Sequence, residues 1–264
     1  MSDPGRPVVE RDPVGKAMAV LIALADDADG PWSVRALARD LDTSPATVHR
    51  IFSAFEGRDL LDRDEEGGYQ AGPELFRLCG ALRDGYTPVP LARPHIEALA
   101  RESGEAVLLG GYEPARRQMM FLDVVQAVHP LHYDVGLHRW IPVHSGATGL
   151  GILAHLPEAE RRAVYAAGLP RLTNATIVAV DELETECARI RERGYAISVA
   201  QRLSGAAAVT APFFDTVGAV VGSVSITVPE QRFQPEREVP LAQRVITTAR
   251  AVTDELSRAG YRRG

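Results

Sequence analysis

The chain has 264 residues, 45% hydrophobic and 24% charged, with a formal net charge of −6. That length and composition suit two modest globular domains or one large one, and an acidic balance excludes nonspecific coating of nucleic acid. Two cysteines, Cys79 and Cys187, lie far apart and outside any CxxC, which excludes a disulfide framework.

Residues 1–11 are polar and are expected to be disordered. They hold no apolar signal core, so a cytoplasmic location is expected. No apolar run of about eighteen residues follows, so neither a transmembrane helix nor a membrane partner is expected. Asp12-Pro13 is a cap followed by a proline at the first helical position, and Val14, Ala17, Met18, Leu21 and Ala25 give a first helix. Ser33 caps a second helix with the stripe Val34, Leu37, Ala38 and Leu41. After a tight Asp42-Thr43 connection, Ser44 and Pro45 start a third helix. Val48, Ile51, Phe52 and Phe55 form its apolar stripe, and Ala46, Thr47, His49, Arg50 and Ser53 its polar face. Leu60–Arg63 and Tyr69–Ala71 read as two short strands around a glycine-bearing turn.

Three short helices followed by a hairpin make a winged helix-turn-helix over residues 12–72. Arg50 suits the O6/N7 edge of guanine. Thr47, with Ser44 and His49 beside it, suits bases or phosphates. Arg35 and Arg39, on the polar side of the second helix, suit phosphate contacts, and Arg63, at the hairpin, a backbone or minor-groove contact. The partner expected is double-stranded operator DNA. Up to residue 87, however, ten Arg and Lys face sixteen Asp and Glu, while the remainder balances at nineteen each. A winged helix used for docking onto protein is therefore an alternative, and DNA binding must rest on a local group of arginines.

Pro73–Leu82 reads as a linker helix with Leu75, Leu78, Cys79 and Leu82 on one face, a stripe that needs a partner. Tyr86–Pro90 breaks the chain and places a second domain at residues 88–264. There Leu91–Glu102 reads as a helix. Ala106–Tyr112, Met119–Val125, Pro130–Asp134 and Arg139–Val143 read as strands. Helices are expected near Ala147–His155, Pro157–Ala166 and Asp181–Arg193. Strands follow at Tyr195–Val199, Ala206–Phe213 and Gly218–Val228, and a closing helix at Glu236–Leu256. Strands in hairpin-like runs with helices interspersed point to α+β rather than a parallel βα series.

Within this half, IPVHSGATGLG is a strand feeding a small-residue loop and a helix start. Ser145, Gly146, Ala147 and Thr148 leave backbone N–H groups open to an anion such as a carboxylate; a helix start made small only for packing is the alternative. The glycine order G-x-x-G-x-G is not that of a dinucleotide loop. His129, His132, His138 and His144 crowd near Asp134, but His129 and His132 would point to opposite faces of a strand, so no metal site is expected. No G-x-S-x-G elbow appears, so no catalytic residues and no cofactor are expected, and the chain is not read as an enzyme.

From about Pro13 to Gln234 the chain resembles the IclR family of bacterial transcriptional regulators. The resemblance lies in TSPATVHRIFSAFEGRDLL, GGYQAGPELFRLCGAL, SGEAVLLG, DVGLHRWIPVHSGATGLGILAHLP, LTNATI and RERGYAISVAQRLSGAAAVTAPFFDTVGAVVGSVSI. It implies a GAF-like antiparallel-sheet effector-binding domain behind the winged helix, a small-molecule effector bearing a carboxylate, and self-association as a dimer or tetramer. By motif position it adds Ser198, Ala208, Ser225 and Thr227 to the effector pocket, with Ser225 and Thr227 on one face of a strand. The chain departs from the family at Ser198, a position often acidic. It also departs at Ala200-Gln201, where a pair of glutamates is usual, at Leu150, where a lysine is usual, and at Ala208, which removes a side chain. Neither pocket segment carries a lysine or arginine, so the helix start and hydrogen bonds are expected to neutralise the ligand's charge, which favours modest affinity. A metabolite-binding signalling or enzymatic domain is the alternative function.

Overall fold

The computed structural model describes residues 12–27, 30–84, 88–126 and 135–263. The chain divides into two compact units between Gly85 and Tyr86. In the first, α1 (Pro13–Asp26), α2 (Val34–Asp40) and α3 (Pro45–Glu56) precede a hairpin of β1 (Leu61–Arg63) and β2 (Tyr69–Ala71), then α4 (Pro73–Asp84). The caps act as their side chains dictate. Asp12 Oδ1 accepts from the Val14 and Gly15 N–H groups, Ser33 Oγ from Ala36 and Ser44 Oγ from Thr47. Val20, Leu24, Trp32, Val48, Phe52, Leu61 and Tyr69 form one buried core. Trp32 pairs with Tyr69 through both backbone groups, at 2.6 and 3.1 Å, and so adds a third short rung to the wing. At Gly72 the chain presses against the wing base: a Cβ there would lie 2.3 Å from the Asp59 carbonyl oxygen, so only glycine fits.

The second unit holds α5 (Pro88–Ser103), β3 (Ala106–Glu113), β4 (Gln118–Val125), β5 (Ile141–Pro142), α6 (Gly146–Leu153), α7 (Glu158–Ala166), α8 (Val180–Arg193), β6 (Ala196–Val199), β7 (Ala206–Phe214), β8 (Val220–Pro229) and α9 (Glu238–Arg258). Six strands form one sheet in the order β5-β4-β3-β8-β7-β6, antiparallel throughout. One face packs on α5 and α9 through Ile96, Leu99, Val224, Ile226, Val245 and Val252. The other packs on α6 and α8 through Leu108, Phe121, Leu150, Leu153, Leu183 and Cys187. A winged helix-turn-helix followed by an antiparallel sheet domain is the α+β architecture expected.

Element bounds differ from expectation at several ends, and three of these differences have a local cause. The strand placed at Arg139–Val143 shrinks to two paired residues, because the chain turns at once into the start of α6. The helix placed at Leu91–Glu102 starts at Pro88, since prolines in a first turn forgo N–H groups that have no partner there anyway. The closing helix starts at Glu238, after two short 3₁₀ turns. The strand expected at Pro130–Asp134, His129, His132 and the N-terminal residues 1–11 lie outside the described residues.

Candidate functional site

The first candidate surface is the start of α3. Ser44 stands at the cap, and its hydroxyl pairs with the Thr47 hydroxyl at 2.8 Å, so the two expected contacts form one unit. Thr47 is half-buried, while His49 and Arg50 are exposed on the side away from buried Val48, Ile51 and Phe52. Arg35 and Arg39 are exposed on α2. Arg39 meets Asp40 at 3.5 Å with both side chains largely in water, a contact that leaves it mobile. These six residues share the helix-turn-helix. Arg63 does something else. Its guanidinium bonds Glu56 at the end of α3 at 3.0 Å and the Tyr69 hydroxyl at 2.6 Å, and lies over the Tyr69 ring. It braces the wing against α3 while its side chain stays 46% exposed. The wing tip itself is acidic, with Asp62, Glu65 and Glu66 exposed and Asp64 tying the turn through Glu66 and Gly68 N–H.

The second surface is the start of α6, where the expected pocket residues separate into two rows across the sheet. In the inner row Thr210 of β7 stands opposite Ser225 of β8. The Ser225 hydroxyl bonds Thr210 at 2.6 Å and Thr148 at 2.7 Å, and Ser223 donates to the Thr148 carbonyl at 3.0 Å. All four hydroxyl-bearing residues are buried. A hydroxyl chain fully satisfied in this way fastens α6 to the sheet. Thr148 and Ser225 therefore serve the seam under the helix; Ser225 is buried there, and Thr227 is half-buried one row further out.

In the outer row Ser198, Ala208 and Thr227 stand side by side on β6, β7 and β8. Ser198 Oγ accepts from the Ala147 N–H at 2.8 Å, so it caps α6 from the neighbouring strand. Ser145, the residue before the helix, turns its hydroxyl back to the Pro142 carbonyl at 2.9 Å. Gly146 has φ +74, a left-handed conformation suited to glycine, and a Cβ there would sit 3.0 Å from the Cβ of Arg202.

Arg202 is the residue that sequence reasoning missed. It belongs to the β6–β7 loop. Its side chain runs past Gly146, and its guanidinium carbon sits 4.8 Å from the centre of the Phe121 ring. The site is therefore not without a cation, as its two obvious segments imply. Thr210 and Ser223 were missed as well; both were legible as hydroxyls sharing the face of Ser225.

The LTNATI stretch holds the same loop. Thr173 Oγ1 donates to the Ala200 carbonyl at 2.6 Å and Thr176 Oγ1 to that of Gln201 at 2.7 Å. His144 bonds the Pro170 carbonyl at 3.0 Å through Nε2, and burial lowers its pKa below the usual histidine value despite that carbonyl. His138 bonds the Leu122 carbonyl at 3.2 Å. Among the described residues these two histidines each serve a backbone carbonyl.

Comparison with known proteins assigns both units to one family. Residues 13–65 match the model of the IclR helix-turn-helix domain, and residues 89–254 that of the bacterial transcriptional regulator IclR C-terminal domain. The transcriptional repressor IclR of Escherichia coli is 24% identical over 229 residues, 86% of this chain and 84% of that protein. The HTH-type transcriptional repressor AllR of Klebsiella pneumoniae is 27% identical over 247 residues, 91% and 88% of the two chains. An IclR transcriptional regulator of Alicyclobacillus acidocaldarius superposes with a TM-score of 0.83 at 22% identity, over 94% of this chain and 98% of the other. An IclR homologue of Microbacterium hydrocarbonoxydans, crystallised with 4-hydroxybenzoate, gives 0.80 at 21% identity, over 94% and 100%. A capped reading helix in front of a sheet whose helix start is built from small residues, matched by family models over both units, is the arrangement of a known lineage: the chain belongs to the IclR family of bacterial transcriptional regulators.

Proposed function

We propose that this regulator grips double-stranded operator DNA through the start of α3, with α2 alongside, and that a small carboxylate bound beside the start of α6 changes that grip. The observation that carries the DNA reading is the exposed His49–Arg50 face, with half-buried Thr47 beside it, above a fully buried Val48/Phe52 floor. In a groove, Arg50 reads guanine edges, while Arg35 and Arg39 meet phosphates. The regions in play are residues 12–72 for DNA, 73–87 as linker and 88–264 for the effector. The ligand lies against the outer row of Ser198, Ala208 and Thr227, because the inner row is committed to the α6 seam. The 4-hydroxybenzoate in the Microbacterium homologue supports an aromatic acid as one class. Such a ligand moves the DNA affinity only in proportion to its preference for one of two states.

Self-association follows from apolar surface. Val14, Met18 and Ile22 make a stripe on α1 that is 71, 53 and 41% exposed, and on α4 Phe76 and Leu82 are 82 and 73% exposed. The stripe expected on α4 is redistributed: Leu75 and Leu78 are half-buried, Cys79 and Leu82 are exposed, and Phe76 joins them. Surfaces of this kind belong to a second copy of the chain, giving a dimer that can pair into a tetramer.

The test is fluorescence anisotropy with DNA from upstream of the protein's own gene, across a salt series, with and without added carboxylates. Saturable binding that prefers one sequence over shuffled DNA is expected, with affinity falling as salt rises. Equal affinity for shuffled DNA would overturn the reading in favour of protein docking.

A further inference from the structure

The first turn of α6 is capped from across the domain. A helix start is ordinarily satisfied by its own cap residue, whose side chain accepts from an N–H two or three positions on. Ser145 occupies that position, yet its hydroxyl makes no bond to the helix and turns to the Pro142 carbonyl at 2.9 Å. The Ala147 N–H is taken instead by Ser198 Oγ at 2.8 Å, from a residue 51 positions further along the chain. Both ends of this bond are shut from water, with Ala147 1% and Ser198 7% exposed. Ser198 stands on β6, an edge strand that pairs with β7 alone. The nearby Arg202 guanidinium is committed to the Val135 carbonyl at 3.4 Å and to the Phe121 ring. The small-residue helix start is therefore not open. Its Ala147 N–H already holds an oxygen, and that oxygen sits on a side chain that one torsion, with three staggered positions, can turn away.

We infer that Ser198 is a resident stand-in for the effector's carboxylate: it fills the anion position at the start of α6 while the site is empty, and an acid must displace it to bind. The inference rests on the proposed effector site and adds the residue that sets its affinity. A neutral hydroxyl and a carboxylate compete for one N–H donor. The carboxylate gains more, because a hydrogen bond to a charged acceptor is roughly twice as strong and because the helix start carries the positive end of the dipole. A neutral carbonyl gains nothing from the exchange, since it offers the donor no more than the hydroxyl does. The site thus favours acids over their amides, and it binds acids more weakly than an uncapped helix start would. Ser198 acts here by holding the ligand's place, not by touching the ligand.

The experiment uses the full chain and a panel of acetate, benzoate, 4-hydroxybenzoate and glutarate, each with its amide, read by calorimetry and thermal shift. Two variants remove the competing oxygen. Ser198→Ala deletes it, and Ser198→Cys keeps most of the volume but offers only a weak sulfur acceptor. Without ligand both should melt below wild type, since the cap is lost. Both should bind the best acid of the panel about fivefold more tightly than wild type, the scale of one helix cap, and saturating acid should raise their melting temperatures more than it raises that of wild type. A purely structural Ser198 predicts the lower melting temperature with acid affinity unchanged. That result, or weaker acid binding in both variants, overturns the inference and leaves the proposed effector site standing. Wild type that binds acids and amides equally overturns it too. If neither wild type nor variants bind any acid, and none of the panel moves operator affinity, the inference and the effector site fall together.

Discussion

Single side chains in this protein repay attention to their partners more than to their type. Arg50 and Arg63 look alike in sequence and both are exposed, but Arg63 is also bonded to Glu56 and Tyr69. Arg50→Ala should leave folding intact and weaken operator binding by about 1–3 kcal/mol, the scale of a bidentate base contact, in an anisotropy titration at moderate salt. Arg63→Ala should do the reverse. The melting temperature of the first unit should fall while the preference for operator over shuffled DNA holds; a lost preference with an unchanged melt would return Arg63 to the DNA. His144 gives a third case. Burial holds His144 and His155 below the ordinary histidine pKa of 6.5. The unfolded chain therefore takes up protons more readily than the folded one. The stability this represents is fully present above about pH 7 and is lost as pH falls through about 6.5 toward the folded value. Urea midpoints should drop between about pH 7 and pH 5, and drop less in His144→Gln, whose amide can still donate to Pro170. Parallel pH profiles for the two proteins would show that His144 carries no such linkage.

Helices and strands were legible in sequence where their causes are local. Asp12, Ser33 and Ser44 announce helix starts because a cap acts within three residues of itself. The stripe of α3 was equally plain, since a periodic apolar face needs only a core to meet. What depends on topology was hidden. Ser198 caps a helix that precedes it by half a domain, and Arg202 reaches that helix only because β6 is the edge strand beside β7. No spacing in the sequence encodes either meeting. The short β5 was overcalled for a related reason: Ile141 and Pro142 pair with Met119 and Gln118, and the residues after them are already spent on the turn into α6. The wing yields an element-scale expectation. Its tip repels phosphates, so Glu65→Lys with Glu66→Lys should tighten binding to any duplex. If each lysine meets one phosphate, the slope of log affinity against log salt should steepen by about 0.9 per charge. An unchanged slope would mean that the tip never approaches DNA.

For the molecule as a whole, the proposed dimer would cover the exposed apolar faces on α1 and α4. Phe76→Glu with Leu82→Glu should shift the mass measured by sedimentation toward the monomer and lower operator affinity, because two half-sites are then no longer gripped together. Retention of the wild-type mass would place the self-association surface on other residues. Among the described residues no helix is long and apolar enough to cross a membrane. The acidic wing has a consequence for how such a protein distributes itself in a cell. A bacterial chromosome offers on the order of a million competing stretches of duplex for every operator. A reader whose hairpin tip pushes phosphates away spends little time stranded on them, so few copies suffice to keep one operator occupied, and a modest change in affinity empties it quickly.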